Sequence, residues 1–277
     1  MRYSIRMLSS ALLGVGACLA GAAQATTITY ADFSSTSGLT LNGNAAQVGN
    51  VLRVTPAING QAGSVFSTSP VSLASNVSFS TAFQFRFTNP AGSDGLGLGA
   101  DGLVFIVQTN SNNVGGAGGG IGYAGVSNSV GIEFDTWNNG AGDGNSSNHV
   151  GIDVGGSVNS LVRAEVTNDM NNGAIWYSWI DYNGVTDLLE VFLSETSVRP
   201  SSAILSLTRD LAIDLGTTNA FVGFSSGTGA AHANHDVLSW TFVDTFAPIN
   251  GVPEPASLAL MGLGLVSLGF VRRRKAA

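Results

Sequence analysis

The sequence predicts an all-β fold, either an antiparallel sandwich or a jelly roll. Three observations favour it: abundant glycine with few charges, short apolar runs that alternate with polar residues, and close spacing of those runs. Glycine accounts for 37 of 277 residues and charged residues for 10%, which suits short strands and tight turns better than long surface helices. The 44% hydrophobic content supplies a core and argues against disorder.

The apolar runs are predicted to be strands. The stretch 77–87 places Phe79, Phe83, Phe85 and Phe87 on one face of a half-buried strand, because side chains alternate along a strand. The next predicted strands are 103–108, 130–134, 150–154, 161–166, 175–182, 188–193, 221–225 and 237–243, and strands at this spacing would number roughly a dozen along the chain. A helical turn is predicted only at residues 210–215.

The N-terminal segment 1–25 has the composition of a secretory signal peptide. It contains a basic start, an apolar run and the small-x-small sequence Ala23-Gln24-Ala25, so we expect cleavage after Ala25. The single cysteine, Cys18, lies inside this segment, which leaves the mature chain without a disulfide. Lipoprotein processing just before Cys18 is the alternative.

The C-terminal segment 249–277 is predicted to be a sorting or anchoring signal. Pro253-Glu254-Pro255 precedes sixteen uncharged residues and the basic run 272–275. As a helix, sixteen residues cover about 24 Å, slightly less than a ~30 Å hydrocarbon core. The pattern closely resembles the PEP-CTERM signal of Gram-negative bacteria, which implies recognition by an exosortase, removal of the tail, and delivery to the cell surface or extracellular matrix. A plain membrane anchor is the alternative.

The body of the chain, 26–248, is predicted to be one acidic domain. Within 26–252, five arginines stand against seventeen carboxylates, a formal charge of −12. An acidic body without a basic patch disfavours nucleic acid and anionic membranes as partners, and it is compatible with cation binding.

The segment 130–154 carries a predicted metal site. Glu133 and Asp135 project from the same face of a strand, and carboxylates that close repel each other unless a proton or a cation lies between them. Asp143 and His149 follow, the latter just before the next strand. Oxygen ligands suit Ca²⁺, and an added imidazole suits Mn²⁺ or a similar transition ion. The alternative is a polar turn with solvated acids.

The same segment resembles the hallmark of the legume-type (L-type) lectins. The residues that match it are Glu133, Asp135, Thr136, Trp137, Asn139, Asp143 and His149-Val150-Gly151-Ile152-Asp153. Further matches follow the family's order, at Ala100-Asp101-Gly102, the glycines 118–120, the strand 176–184 and the final hairpin 222–242. The resemblance implies a legume-lectin-like (concanavalin-type) jelly-roll β-sandwich of two antiparallel sheets, with a cis peptide before Asp101.

The resemblance also implies two metal ions and a sugar site. The implied ligands of the transition ion are Glu133, Asp135, Asp143 and His149, and those of Ca²⁺ are Asp135, Asp143, Asn139 and the Trp137 carbonyl. The implied sugar contacts are Asp101, Gly120, Asn139, the flat Trp137 ring, Gly229 and Ala230. Two departures from the family pattern, Gly144 after Asp143 and Asn234 in place of a usual Glu, leave His149 ligation and the preferred sugar open.

These features predict a secreted or surface-attached Ca²⁺-dependent carbohydrate-binding protein rather than an enzyme. We expect its partners to be glycans or exopolysaccharide, and any homo-oligomer to form through a sheet face. One alternative is a structural matrix protein that keeps the fold but binds little sugar. Another is a jelly-roll β-glucanase, whose Glu-x-Asp-x-x-Glu strand the Glu133 segment resembles, but Asn138 replaces the second catalytic glutamate that retaining hydrolysis needs.

Two other groups of residues are predicted to have structural rather than functional roles. His235-Asp236 lacks a serine elbow, which argues against a catalytic pair. Trp176, Trp179 and Trp240 are predicted to be core or sheet-face aromatics rather than sugar platforms.

Overall fold

The computed structural model describes residues 25–73, 76–115 and 118–251. The predicted signal peptide, except Ala25, and the apolar C-terminal stretch lie outside these residues. Within the described ranges, no helix is long and apolar enough to cross a membrane.

The described chain forms sixteen strands, which confirms the all-β prediction. In chain order they are β1 (Thr27–Tyr30), β2 (Leu39–Gly43), β3 (Ala46–Val48), β4 (Val51–Thr55), β5 (Ala62–Ser67), β6 (Val71–Ser72), β7 (Phe79–Ala91), β8 (Gly102–Gln108), β9 (Ser129–Asp135), β10 (His149–Val154), β11 (Val162–Glu165), β12 (Trp176–Asn183), β13 (Leu188–Ser194), β14 (Leu205–Thr208), β15 (Asn219–Gly227) and β16 (His232–Val243). The one α-helix among the described residues, α1 (Leu211–Leu215), confirms the predicted helical turn. Its Asp210 cap accepts a hydrogen bond from the Ala212 N–H at 2.9 Å.

The strands form two antiparallel sheets of eight strands each. The back sheet has the order β14-β13-β12-β7-β16-β4-β3, with β1 also paired to β16. The front sheet has the order β11-β10-β9-β8-β15-β5-β2, with β6 also paired to β15. Since consecutive strands often lie in different sheets, the fold is a jelly-roll sandwich and not a simple meander.

The core lies between the sheets and is rich in phenylalanine. The four predicted residues of β7 are all fully buried there. Phe83 on β7 contacts Phe105 and Phe134 of the front sheet, with ring centroids 6.0 and 5.7 Å apart. Such contacts join the sheets through apolar burial and favourable ring geometry.

The prediction that β7 is only half-buried was wrong. On its other face, Ala82 packs with Trp179 and Phe192, and Ile249 from the C-terminal segment lies against them. This covering segment comes from about 170 residues away in the chain, so alternation within β7 could not reveal it. The structural assignment of Trp176, Trp179 and Trp240 is supported, because all three are buried.

The predicted final hairpin was also wrong. β15 pairs with β8 and β5 in the front sheet, whereas β16 pairs with β7 and β4 in the back sheet. The connection 228–231 therefore crosses from one sheet to the other. It does so at the end of the sandwich where β8 begins at Gly102 and β9 ends at Asp135, which pair with each other.

Candidate functional site

Two neighbouring strands bring the predicted acids and histidine together. In the β9–β10 register, Glu133 faces Gly151 and Asp135 faces His149. Phe134 and Val150 point into the core, so these polar side chains share the outer face of the front sheet. Ligand atoms of Glu133, Asp135 and His149 lie within 4.8 Å of one another, and all three residues are buried. The His149 Nε2 lies 3.1 Å from the Glu133 Oε1.

Gly151 makes room for the Glu133 side chain. A Cβ at this position would lie 2.4 Å from the Glu133 Oε1 and 2.0 Å from the Ser160 Oγ, so a larger residue would displace both. The Ser160 hydroxyl donates to the Glu133 Oε1 at 2.5 Å. Sequence reasoning missed Ser160 because it lies beyond the strand, in the connection to β11. Asp153 belongs to the matching motif but had no predicted role. Because Asp153 follows Gly151 by two residues on β10, its side chain lies on the same outer face of the front sheet.

The loop after β9 folds around the carboxylates. The Trp137 N–H donates to the Asp135 Oδ1 at 2.7 Å, and the Asn139 N–H donates to the Asp143 carboxylate. Asp143 is buried at the end of a short 3-10 turn, Ala141–Asp143. Asn139 remains exposed and Trp137 is half-buried, so both side chains are accessible beside the acids.

Asp94 ties a second loop to this one and was not predicted from the sequence. Its Oδ2 accepts from the Asn138 N–H at 2.8 Å, and its Oδ1 accepts from Leu96 and Gly97 at 2.8 and 2.9 Å. These bonds lower the pKa of Asp94 despite its partial burial. The local signal was the turn sequence Asp94-Gly95, but nothing local indicated contact with a loop 44 residues away.

Asp101 lies where four loops meet. Its peptide bond to Ala100 is cis, as the resemblance implies, and its carbonyl accepts from the Thr136 N–H at 3.0 Å. A Cβ at Gly229 would lie 3.5 Å from the Asp101 Oδ2, and a Cβ at Gly119 would lie 2.6 Å from the Asn139 Oδ1. Close approach of these loops around Asp101 and Asn139 forms a candidate sugar site beside the acid cluster.

Only some of the predicted sugar contacts lie where the loops converge. Asp101, Asn139 and Gly229 lie at the convergence of the loops, while Ala230 is exposed at its edge. The Gly120 carbonyl accepts from the N–H groups of residues 123 and 124 at 2.7 and 2.9 Å. Its neighbour Gly119, rather than Gly120, makes the close approach to Asn139.

The acids form an electrostatically unfavourable cluster on their own. Burial raises the pKa of Asp135 well above its usual range, with the charge of Glu133 as the next cause. Burial, then the charge of Asp143, raises the pKa of Asp101 to about 7. Burial, then the charge of Glu133, raises the pKa of Asp153 to about 9. A bound cation would remove the repulsion that these shifts express.

Orphaned polar atoms around the cluster fit a metal centre. Among the described residues, buried atoms without a hydrogen-bond partner include Glu133 Oε2, His149 Nδ1 and Asp101 Oδ2. Buried polar groups are rarely left without partners, and carboxylate with imidazole donors suits a transition ion next to a hard cation. Asp143 lies outside the three-residue cluster, but its charge acts on Asp101 and Asp135.

The chain is similar in sequence to plant lectins and lectin-domain kinases. It is 33% identical over 249 residues to the L-type lectin-domain containing receptor kinase VIII.1 of Arabidopsis thaliana, covering 83% of this chain and 34% of that protein. It is 36% identical over 178 residues to a bark lectin of Styphnolobium japonicum, covering 61% of this chain and 62% of the relative. The chain thus spans about a third of the receptor kinase and less than two thirds of the bark lectin.

Solved lectin structures share the fold. A Bauhinia forficata lectin in complex with GalNAc superposes with a TM-score of 0.68 at 25% identity, covering 79% of this chain and 98% of that lectin. Basic winged bean lectin with Tn-antigen gives a TM-score of 0.66 at 29% identity, with the same coverage. These neighbours confirm the jelly-roll β-sandwich, and as lectins they are carbohydrate-binding proteins rather than enzymes.

Two family descriptions match the sequence. The PEP-CTERM protein-sorting motif matches residues 251–275, and the legume lectin domain matches residues 25–255. The second match covers the entire described sandwich, including the acid cluster and the loops around Asp101. The chain therefore belongs to the legume lectin family.

Proposed function

We propose that the protein is a Ca²⁺-dependent carbohydrate-binding lectin that acts outside the cell. The observation that carries this proposal is the position of the buried cluster of Glu133, Asp135 and His149 beside the loops around Asp101 and Asn139. Hydrogen-bonding groups held rigidly at a loop junction suit sugar hydroxyls, and the accessible Trp137 ring suits the apolar face of a sugar. Family membership supports carbohydrate binding as the function.

The residues divide into metal ligands and sugar contacts. The transition ion, Mn²⁺ in our proposal, would be held by Glu133, Asp135, Asp143 and His149, and Ca²⁺ by Asp135, Asp143, Asn139 and the Trp137 carbonyl. When bound, the cations would neutralise the acids and fix the loop 136–148. Asp101 and Asn139 would then hydrogen-bond the sugar, while the backbone at Gly120, Gly229 and Ala230 would shape the pocket.

Export is part of the proposal. The segment 1–25 would direct secretion, and the sorting motif at 251–275 would be recognised by an exosortase, placing the lectin at the surface or in the matrix of a Gram-negative bacterium. Glycans of cell surfaces or exopolysaccharide would then be its ligands.

A glycan array with and without chelator tests the function. We expect binding that is abolished by EDTA, restored by Ca²⁺ with Mn²⁺, and lost in Asp101→Ala and Asn139→Ala, because each variant removes a proposed sugar contact. Asn219→Ala provides a matched control, since Asn219 is exposed at the start of β15, at the opposite end of that strand from Gly227, and it should bind normally. Binding that survives EDTA and both site variants would overturn the site assignment. Bound metal with no glycan signal would instead favour the structural matrix protein.

A further inference from the structure

The candidate sugar site and the C-terminal segment lie at opposite ends of the same strands. At one end of β7, Ala91 pairs with His232, and a Cβ at Gly92 would lie 2.6 Å from the Ala231 Cβ, in the loop that also approaches Asp101. We call this the site end. At the other end of β7, Ser80 pairs with Val243, the last residue of β16. We call this the attachment end.

The segment after β16, residues 244–250, is bound along the attachment end and is called the strap. The Ala247 N–H donates to the Ser80 Oγ at 3.0 Å. Ile249 packs on the cluster formed by Ala82, Trp179 and Phe192. The strap therefore runs beside β7 from Ser80 to Ala82, and at Ile249 it is still near the attachment end.

One arginine holds the end of the strap. Arg199 donates to the Ile249 carbonyl at 3.2 Å and forms an ion pair with the carboxylate of Asp181, which is buried. Its guanidinium also lies 4.0 Å from the centroid of the Phe192 ring, a favourable cation–π distance. These contacts fix the position of Ile249, close to the end of the described chain.

The sorting motif begins close to the attachment end. Ala91 follows Ala82 by nine residues, which corresponds to about 30 Å along a strand. The match to the motif begins at Gly251, two residues after Ile249, about 7 Å of fully extended chain. While the strap stays bound, the start of the motif is therefore nearer to the attachment end than to the site end.

We propose that attachment through the C-terminal segment directs the sugar site away from the carrying surface, so that the protein binds glycans borne on facing material. A site within reach of its own anchoring surface would instead bind glycans of that surface. This proposal rests on the proposed lectin function for its ligand, but its geometry can be tested independently of sugar binding.

Site-specific immobilisation tests the orientation. In the full chain with Cys18→Ser, a single cysteine would be introduced by Asn250→Cys in the strap, Val185→Cys in the turn after β12, or Leu96→Cys in the Asp94 loop. Val185 is 74% exposed at the attachment end, because Tyr182 pairs with Phe79 there, and Leu96 is 65% exposed at the site end. Each variant would be biotinylated and bound to a streptavidin surface.

The probes are micrometre-sized beads that carry galactose-, N-acetylgalactosamine- or mannose-albumin conjugates. We expect the Asn250- and Val185-linked proteins to capture beads, and the Leu96-linked protein to capture severalfold fewer. All three should bind the soluble conjugates equally. Equal bead capture by all three would overturn the orientation. If every variant and the unlabelled Cys18→Ser chain fail to bind the soluble conjugates, these three sugars are not ligands and the distance measurement decides the orientation; the lectin function is contradicted only if the glycan array also shows no binding.

A distance measurement decides the geometry even without a sugar ligand. Spin labels at Asn250→Cys and Leu96→Cys in one chain should lie about 30 Å apart or more, from the strand rise between the two ends. A principal distance below about 20 Å would show that the strap reaches the site end, and would contradict the proposal.

Discussion

At the scale of single residues, His235 and Asp236 have separate structural roles. The His235 Nδ1 shares a hydrogen bond with the Thr55 Oγ1 at 2.7 Å, and its ring meets Phe87 edge-on at 4.7 Å between centroids. Asp236 points to the other face and forms two bonds with Arg53, at 2.7 and 2.9 Å. The two side chains do not act as a pair, which supports the structural assignment made from the sequence. Burial lowers the pKa of His235 to about 3.

This histidine makes stability depend on pH. An unfolded histidine has a pKa of about 6.5, so between pH 6.5 and 3 the unfolded chain binds a proton that the folded chain does not. The histidine contribution to the free energy of unfolding is therefore fully present above pH 6.5 and falls as the pH decreases. Denaturant titrations of wild type and His235→Gln should show the wild-type advantage shrinking by about 2 kcal/mol between pH 7 and pH 5.

The buried Val237, also on β16, provides the control for this prediction. Val237→Ala removes apolar packing but no titratable group, so its effect on the free energy of unfolding should not vary between pH 7 and pH 5. Both variants would be measured at the same metal concentrations as wild type. A difference between wild type and His235→Gln that is independent of pH would contradict the prediction.

At the scale of elements, the strap depends on one ion pair that is largely shielded from water. The Asp181 side chain is 1% exposed and that of Arg199 is 13% exposed. Removing the arginine leaves a buried carboxylate without its charge partner, which costs far more than losing a surface pair. Arg199 is therefore important for both the stability of the back sheet and the position of the strap.

Arg199→Ala should lower the free energy of unfolding by about 3 kcal/mol and increase hydrogen exchange across residues 245–250. Arg209→Ala is the matched control, because the Arg209–Asp214 pair is more exposed, at 39% for the arginine, and its loss should cost less than about 1 kcal/mol. Ile249→Ala separates the loss of the strap contact from the loss of the ion pair, since it loosens the strap but leaves Arg199 paired with Asp181. Unchanged exchange of the strap in both Arg199→Ala and Ile249→Ala would contradict the assigned contacts.

The elements that were predictable from the sequence are those whose partners are close in the chain. β9 and β10 are consecutive strands joined by the thirteen-residue loop 136–148, so the alternation around Glu133 and His149 already indicated which side chains share a face. The placement of β15 and β16 in opposite sheets was not predictable in this way, because it depends on pairing with distant strands. Asp94 and Ile249 were missed for the same reason, since their contacts are tertiary. Local patterns thus predicted the acid cluster, but neither the Asp94 contact that holds the neighbouring loop nor the strap on the back sheet.

At the scale of the whole molecule, burial and mutual repulsion of the acid cluster in the front sheet lower the stability of the fold. The body of the chain contains no cysteine, so no disulfide compensates for the repulsion among Glu133, Asp135, Asp143 and Asp101. The loop 136–148 joins these acids to the sugar residues, and its first residues are held by bonds to the carboxylates of Asp135, Asp94 and Asp143. Metal binding would therefore act on sugar affinity and on global stability together.

Removal of metal should lower the melting temperature of the sandwich. A ligand at one hundred times its dissociation constant stabilises a fold by about 2.7 kcal/mol, which corresponds to a shift of roughly 5–10 °C for a domain of this size. We expect calorimetry to show this decrease with EDTA and recovery with Ca²⁺ and Mn²⁺, alongside metal counts from elemental analysis. Glu133→Gln should weaken the response because it removes a ligand charge, whereas Glu190→Gln on β13, remote from the cluster, should leave it unchanged. A metal-loaded wild type with the same melting temperature as the chelated protein would contradict the coupling, because the acid cluster would then have no need of a cation.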